Sequence, residues 1–378
     1  MNDMNAQPTR TTGETGAVNA DSKDGGECLL PTALMNPTLC GLLLFLFPFV
    51  LGPVIGGKGW SVKFLSGDVY YYFVVARNYL DHGITSFDGE YATNGFHPLW
   101  QGCVILITSL SDGLGLSLFG LCALTLFFSV LIVAVALLIL AACFRRALGS
   151  VPWLFCLLPL GICGVIGFLG TPWAHLSLWS YANGMESGLV LPAYSCWLYF
   201  AFSKNFLKTP GNAAGVGTAF AFLVLARLDH VFFVIPVAVV VVIRCLMRPS
   251  NSAFAYLIAI IIPAGTLLAY MFINLHYVGF AMPVSGAIKS TYPNLCLQNF
   301  VDVRDVLSNP LAAESILLFF RLVQVFVPAM AGLFVVGYSC FSSSFRAANY
   351  WRALFFTAVG TVMLALSLIH ISEPTRPY

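Results

Sequence analysis

Polar and apolar positions along the chain separate into long blocks. Apolar runs occupy about 40–56, 97–111, 116–143, 151–170, 187–203, 213–226, 231–247, 253–274, 316–341 and 350 onward. A helix needs roughly 20 residues to cross the hydrocarbon core of a bilayer, so these blocks predict membrane-crossing helices. Two are short. The run at 97–111 opens on His97-Pro98 and contains Gln101, which predicts an interfacial or re-entrant segment, whereas the run at 213–226 can extend at either end. Residues 1–38 are rich in Asn, Thr, Gly, Asp and Ala and poor in aliphatic side chains, which predicts a disordered tail. This tail is too long and too acidic for a signal peptide, so the first apolar run is expected to be retained as an anchor.

Between the first two apolar runs lies Ser66 to Trp100, the window with the densest polar chemistry. Its first half predicts a short amphipathic helix, with Ser66 as N-cap, Asp68 in the first turn where a negative charge suits the helix dipole, and Gly83 as the stop. Val69, Phe73, Ala76 and Leu80 share one face, while Asp68, Tyr72, Arg77 and Asn78 lie elsewhere on the wheel. Such a helix is expected to lie along a membrane surface, with Asp68 where water meets lipid.

Composition sharpens this picture. With 59% hydrophobic and 9% charged residues and a mean hydropathy of +0.86, an ordinary soluble protein is excluded, and an all-α, polytopic membrane protein is expected. The net charge of +2, with no basic run, gives no reason to expect nucleic acid as a partner. The 11 cysteines fall mostly inside apolar segments, as Cys122, Cys156 and Cys245 do. Without a CxxC pair or a Cys/His cluster they read as small buried hydrophobes, and no metal site is expected.

Charge also orients the spans, because short cytoplasmic loops collect Lys and Arg. If 97–111 does not cross and every other run does, Arg145/Arg146, Lys204/Lys208, Arg244/Arg248 and Arg346/Arg352 all fall on the side of the N-terminal tail. The loops 57–115, 171–186, 227–230 and 275–315 then come out together on the extracytoplasmic side. Those loops hold the candidate chemistry.

Each candidate carries a plain structural alternative. Asp68 can cap its own helix, but Tyr70, Tyr71 and Tyr72 after it suit a sugar or polyprenyl ligand beside a carboxylate. In Thr93-Asn94-Gly95-Phe96-His97-Pro98, Asn-Gly and Pro are ordinary turn chemistry, while His97 could donate to a phosphate or orient a carboxylate. Glu186, in Asn183-Gly184-Met185-Glu186-Ser187-Gly188, stands at a helix mouth where a dipole partner is the default. Arg227-Leu228-Asp229-His230 invites an internal Arg–Asp pair, yet an arginine held there also suits a lipid-linked phosphate. Lys289 follows a bent stretch fixed by Gly279, Pro283 and Gly286, and projects a cation.

Taken in order, GDVYYYFVVARN, TSFDGEYATNGFHPLW, NGMESG, ARLDH and NLHYVGFAMPVSGAIKS resemble bacterial membrane proteins of the GT-C glycosyltransferase superfamily, in its broad family-39-like group, over about residues 40–365. The resemblance implies a multi-span helical bundle in the bacterial plasma membrane, with six spans between the first outer loop and the next large outer loop. It also implies transfer of a sugar from a polyprenyl-phosphate donor to a lipid, glycan or protein acceptor on the extracytoplasmic face. Asp68 then takes the place of the catalytic carboxylate. Many relatives carry two adjacent acids there, whereas this chain has Gly67-Asp68, so a metal bound by paired acids is not supported and Asp68 acts alone or with Glu90 or Glu186. No cofactor is implied beyond the donor itself. Substrate contacts are expected from Tyr71, Tyr72, Arg77, Asn94, His97, Glu186, Arg227, Asp229 and Lys289, with Arg227, Lys289 or His97 stabilising the departing phosphate.

Three regions follow from this reading: a polar tail at 1–38, the GT-C-like domain at 39–365, and 366–378. Within the last, Leu366 to Arg376 (LSLIHISEPTR) resembles a translated sequencing adapter, so native sequence is expected to end near Ala365 and no role is given to His370 or Glu373. Two other classes compete with the enzyme. A transporter or flippase of lipid-linked sugars predicts acids and broken helices near mid-membrane, and a non-catalytic relative keeps the fold as a binding subunit.

Overall fold

The computed structural model describes residues 36–152, 181–203, 206–247, 253–283 and Ala358. The predicted tail up to residue 35, the runs at 151–170 beyond residue 152, at 316–341 and from 350 apart from Ala358, and Lys204, Arg248, Lys289, Arg346 and Arg352 lie outside the described residues.

The described residues are helical: α1 (Pro37–Gly56), α2 (Trp60–Phe64), α3 (Val69–His82), α4 (Pro98–Gly113), α5 (Leu118–Leu148), α6 (Ser187–Ala201), α7 (Pro210–Ala226), α8 (Val231–Met247) and α9 (Ala253–Tyr277). Single 3-10 turns stand at Gly57–Gly59 and Leu228–His230, and one isolated antiparallel bridge joins Ser86 to Ala92. Local chemistry explains the boundaries. Asn36 accepts the Thr38 amide at 3.0 Å ahead of Pro37, and Thr209 accepts the Asn212 amide at 3.3 Å ahead of Pro210; each pairs a side-chain cap with a proline where its missing N–H costs nothing. Helix α3 stops at Gly83, whose φ of +73° lets its amide reach the Tyr79 carbonyl at 2.9 Å.

Among the described residues three helices, Pro37–Val54, Leu118–Arg146 and Ala253–Tyr277, are long and apolar enough to cross a membrane. At 31 residues, α5 extends about 46 Å at 1.5 Å per residue, longer than the ~30 Å hydrocarbon core. Helices α7 and α8 are apolar but shorter, at 17 residues each. Packing runs in sequence from α5 to α6, α6 to α7, and α7 to α9. Trp197 of α6 stacks on Phe220 of α7 with ring centres 4.7 Å apart. Gly217 lets α7 approach α9 closely, since a Cβ there would lie 3.2 Å from the Ala259 carbonyl oxygen.

Two expectations for the first loop are corrected. The N-cap residue of α3 is Asp68 rather than Ser66, and its side chain makes no capping bond; Ser66 stands two residues earlier, where its amide donates to the Asn183 carbonyl at 2.9 Å. The buried face of α3 is Val69, Tyr72, Phe73, Val75 and Ala76, while Leu80 is exposed. Tyr72 turns inward because its hydroxyl finds a buried carboxylate, which makes an amphipathic side chain welcome in the core. Helix α4 buries Trp100, Gln101, Val104, Ile107 and Thr108, and it packs on α3, α5 and α7.

Candidate functional site

The site is built where α6 begins and α7 ends. Ahead of α6, Asn183 accepts the Met185 amide at 3.2 Å and Gly184 takes φ +81°, bending the chain over the start of α3. A Cβ at Gly184 would collide with Leu65 and lie 3.1 Å from Val69, so only glycine lets this turn sit so close to the first loop. The bend delivers Glu186, the N-cap residue of α6. Its side chain makes no capping bond; it points across to α3 instead. The Tyr72 hydroxyl donates to Glu186 Oε2 at 3.1 Å, and Gln101 of α4 donates from Nε2 to the Tyr72 carbonyl at 3.3 Å.

The other carboxylate oxygen faces two nitrogens. His97 Nε2 lies 3.6 Å and Arg227 Nη1 3.9 Å from Glu186 Oε1. His97, the N-cap residue of α4, accepts the Leu228 amide through Nδ1 at 3.3 Å. An acceptor at Nδ1 leaves the proton of a neutral imidazole on Nε2, aimed at Glu186. Beyond it, Arg227 Nε donates to Asp229 Oδ2 at 3.2 Å, and His230 Nδ1 stands 3.0 Å from Asp229 Oδ1, where an ionised carboxylate requires it to donate.

Burial and charge set the protonation of this cluster. Burial above all, then the Glu186 charge, raises the Tyr72 pKa, so the phenol stays a donor. Burial is also the main force lowering the His97 pKa, against the pull of Glu186, and this agrees with the neutral form that the Leu228 amide demands. For Asp229 burial works the other way, but the His230 hydrogen bond and the Arg227 charge outweigh it and the pKa is lowered. Burial similarly opposes the Arg227 charge, yet Asp229 and Glu186 prevail and its pKa is raised. The Glu186 side chain is only 8% exposed and the Arg227 side chain 37%, so the guanidinium is the outward member of the pair. A half-open arginine braced from behind by two carboxylates can receive an oxyanion from outside.

Asn94 ties in the remaining stretch. It is buried, and its Nδ2 donates to the carbonyls of Phe280 at 3.4 Å and Met282 at 3.2 Å, beyond the end of α9. Five stretches spread over more than 200 residues therefore meet: Tyr72; Asn94 and His97; Glu186; Arg227, Asp229 and His230; Phe280 and Met282. Arg146, at the end of α5, sits at the opposite end of α6, where it donates to the Tyr199 carbonyl at 3.0 Å and covers the Tyr199 ring.

The other described candidates lie on or beside α3 and in the loop that follows it. Asp68 is exposed at the head of α3, one turn before Tyr72. Tyr71 faces outward, with its ring 5.3 Å from that of Phe87. Arg77 grips Asp112 through two bonds of 2.6 and 2.8 Å in the last turn of α4, roughly 20 Å along that helix from His97. Glu90 is exposed on the loop tip, and Lys289 lies outside the described residues. His230 and Gln101 join the site although neither was assigned a role in it from sequence. His230 had a visible signal in its position directly after Asp229, whereas Gln101 and the Leu228 amide act through contacts between distant segments. Among the described residues, no three of His, Cys, Asp and Glu converge to hold a metal ion.

Comparison with protein-family models, curated proteins and solved structures returns no match.

Proposed function

We propose that the chain is an inverting membrane glycosyltransferase of GT-C type, which moves a sugar from a polyprenyl-phosphate donor to an acceptor hydroxyl on the extracytoplasmic face. One observation carries this reading. The five stretches that bear the resemblance, far apart in sequence, draw together through Tyr72–Glu186, His97–Leu228 and Asn94–Met282 contacts. Three apolar helices of spanning length support a membrane setting, and in this reading the shorter apolar helices cross as well, with the basic pairs on the cytoplasmic side.

Asp68 and Glu186 take different roles. A general base must meet an incoming hydroxyl, which suits the exposed Asp68. Glu186 is buried, with Tyr72 on one oxygen and His97 and Arg227 facing the other, which suits a brace for the cation. The acceptor oxygen attacks the anomeric carbon as Asp68 takes its proton. The bond from that carbon to the phosphate oxygen breaks, and its electron pair leaves with the polyprenyl phosphate, stabilised by Arg227, while the Nε2–H of His97 stays aimed at the Glu186 brace. Much of the acceleration must come from holding donor and acceptor together, since a carboxylate ionised at neutral pH is a weak base.

Transfer from a polyprenyl-phosphate-linked sugar in proteoliposomes tests this. Asp68→Asn is expected to lower turnover at least about 100-fold while the donor still binds. Undiminished transfer by that variant would remove Asp68 from catalysis, and movement of donor lipid across the bilayer without transfer would mark a flippase.

A further inference from the structure

Helix α3 presents Tyr72 inward to Glu186 and, at the preceding position, Tyr71 outward. Beside Tyr71 the chain builds a stiff loop over residues 84–93. The Asp88 carboxylate accepts the Ser86 hydroxyl at 2.8 Å and the amides of Glu90 and Tyr91 at 2.9 Å, and these bonds hold its pKa down to about 2. Gly89, at φ +86°, turns the tip, and its amide donates to the Ser86 hydroxyl. Thr85 and Thr93 exchange two bonds at the base, and Asn78 fastens the loop to α3 through the Ser86 carbonyl at 3.0 Å. Phe87 and Tyr91 are left exposed on this loop, Tyr91 at 74%, and the Phe87 ring is tilted at 43° against that of Tyr71.

We propose that this aromatic surface, formed by the Tyr71–Phe87 pair with the exposed Tyr91 on the same loop, binds the acceptor and that the acceptor is a neutral saccharide. The inference rests on the glycosyltransferase reading and narrows it from any hydroxyl-bearing acceptor to one class. Rigid aromatic rings offer large contact area at little entropic cost, and the C–H faces of a pyranose match them. Charge selects among occupants. The window from Ser66 to Trp100 holds Asp68, Asp81, Asp88 and Glu90 against a single Arg77, which is already engaged by Asp112. Such a surface repels anionic lipid headgroups, which basic clusters attract. Its exposed carboxylates accept hydrogen bonds from sugar hydroxyls. Asp68 lies three residues before Tyr71, one helical turn away, so a sugar stacked on Tyr71 places its hydroxyls near the proposed base.

The test uses the full chain in nanodiscs, fluorescently labelled and applied to an array of neutral, N-acetylated and uronic oligosaccharides, beside cationic peptides and anionic vesicles. Retention on neutral oligosaccharides is expected, weakened at least about tenfold in a Phe87→Ala/Tyr91→Ala double variant with an unchanged melting temperature. Absence of saccharide binding, equal binding by the double variant, or retention only on cationic peptides or anionic vesicles would overturn the proposal. Failure of the transferase reading looks different: oligosaccharides bind through Phe87 and Tyr91, but no sugar leaves a polyprenyl-phosphate donor.

Discussion

Two arginines separate contact length from consequence. Arg77 holds Asp112 through two bonds of 2.6 and 2.8 Å, the shortest ion pair among the described residues, with both side chains well exposed. Arg227 stands 3.2 Å from Asp229 and 3.9 Å from Glu186, yet both partners are largely buried and further held by His230 and Tyr72. Water screens the first pair and competes for its donors, so it contributes little despite ideal geometry. In the second, the two carboxylates have been taken from water, at 8% and 17% exposure, and rely on a guanidinium that is itself half-open, so its removal strands them. Burial and the convergence of distant segments mark the site here; the tightest distance does not.

The comparison can be broken at three points. Arg227→Ala leaves the buried Glu186 and Asp229 carboxylates without the cation they share, and is expected to cost about 3 kcal/mol in chemical or thermal unfolding. A loss below about 1 kcal/mol would put Arg227 in the same class as Arg77.

A second probe is pH. His97 has a lowered pKa in the folded chain, so the unfolded chain binds the extra proton more readily. Stability is therefore full above the ordinary histidine value of 6.5 and declines as pH falls below it toward the lower folded pKa. The physical event is protonation of Nδ1, which turns the acceptor of the Leu228 amide into a second donor and parts α4 from the 228–230 turn. Melting temperature measured from pH 7.5 to 5.5 is expected to fall more steeply in the wild type than in His97→Gln; parallel curves would remove His97 as the sensitive group. The smallest effect belongs to Arg77→Gln, expected at under about 1 kcal/mol and diminished further by salt.

Most helices were legible from sequence because each depends on its own residues. The apolar runs at 116–143, 231–247 and 253–274 correspond to α5, α8 and α9, and Gly83 ends α3 as its lack of a Cβ suggests. The inward face of α3 was misassigned at Leu80 and Tyr72 because hydrophobic periodicity treats tyrosine as a polar or interfacial residue. Only a partner 114 positions away reveals that its hydroxyl has somewhere to go.

The site divides along the same line. Sequence alone singled out Asp68, His97, Glu186, Arg227, Asp229 and Lys289 as chemistry out of place in an oily chain, since ionisable groups beside apolar runs carry a desolvation cost that calls for explanation. Asn94 read as ordinary turn chemistry, and Arg77 and Asn94 entered through the resemblance. Which of them share a network, and that Arg77 is not one of them, was decided by the fold. Helical propensity and hydropathy act within one segment, whereas the glycine turn at Gly184 and the close passage of α3, α4 and α7 set the distances between segments, and electrostatics depends on those distances and on burial.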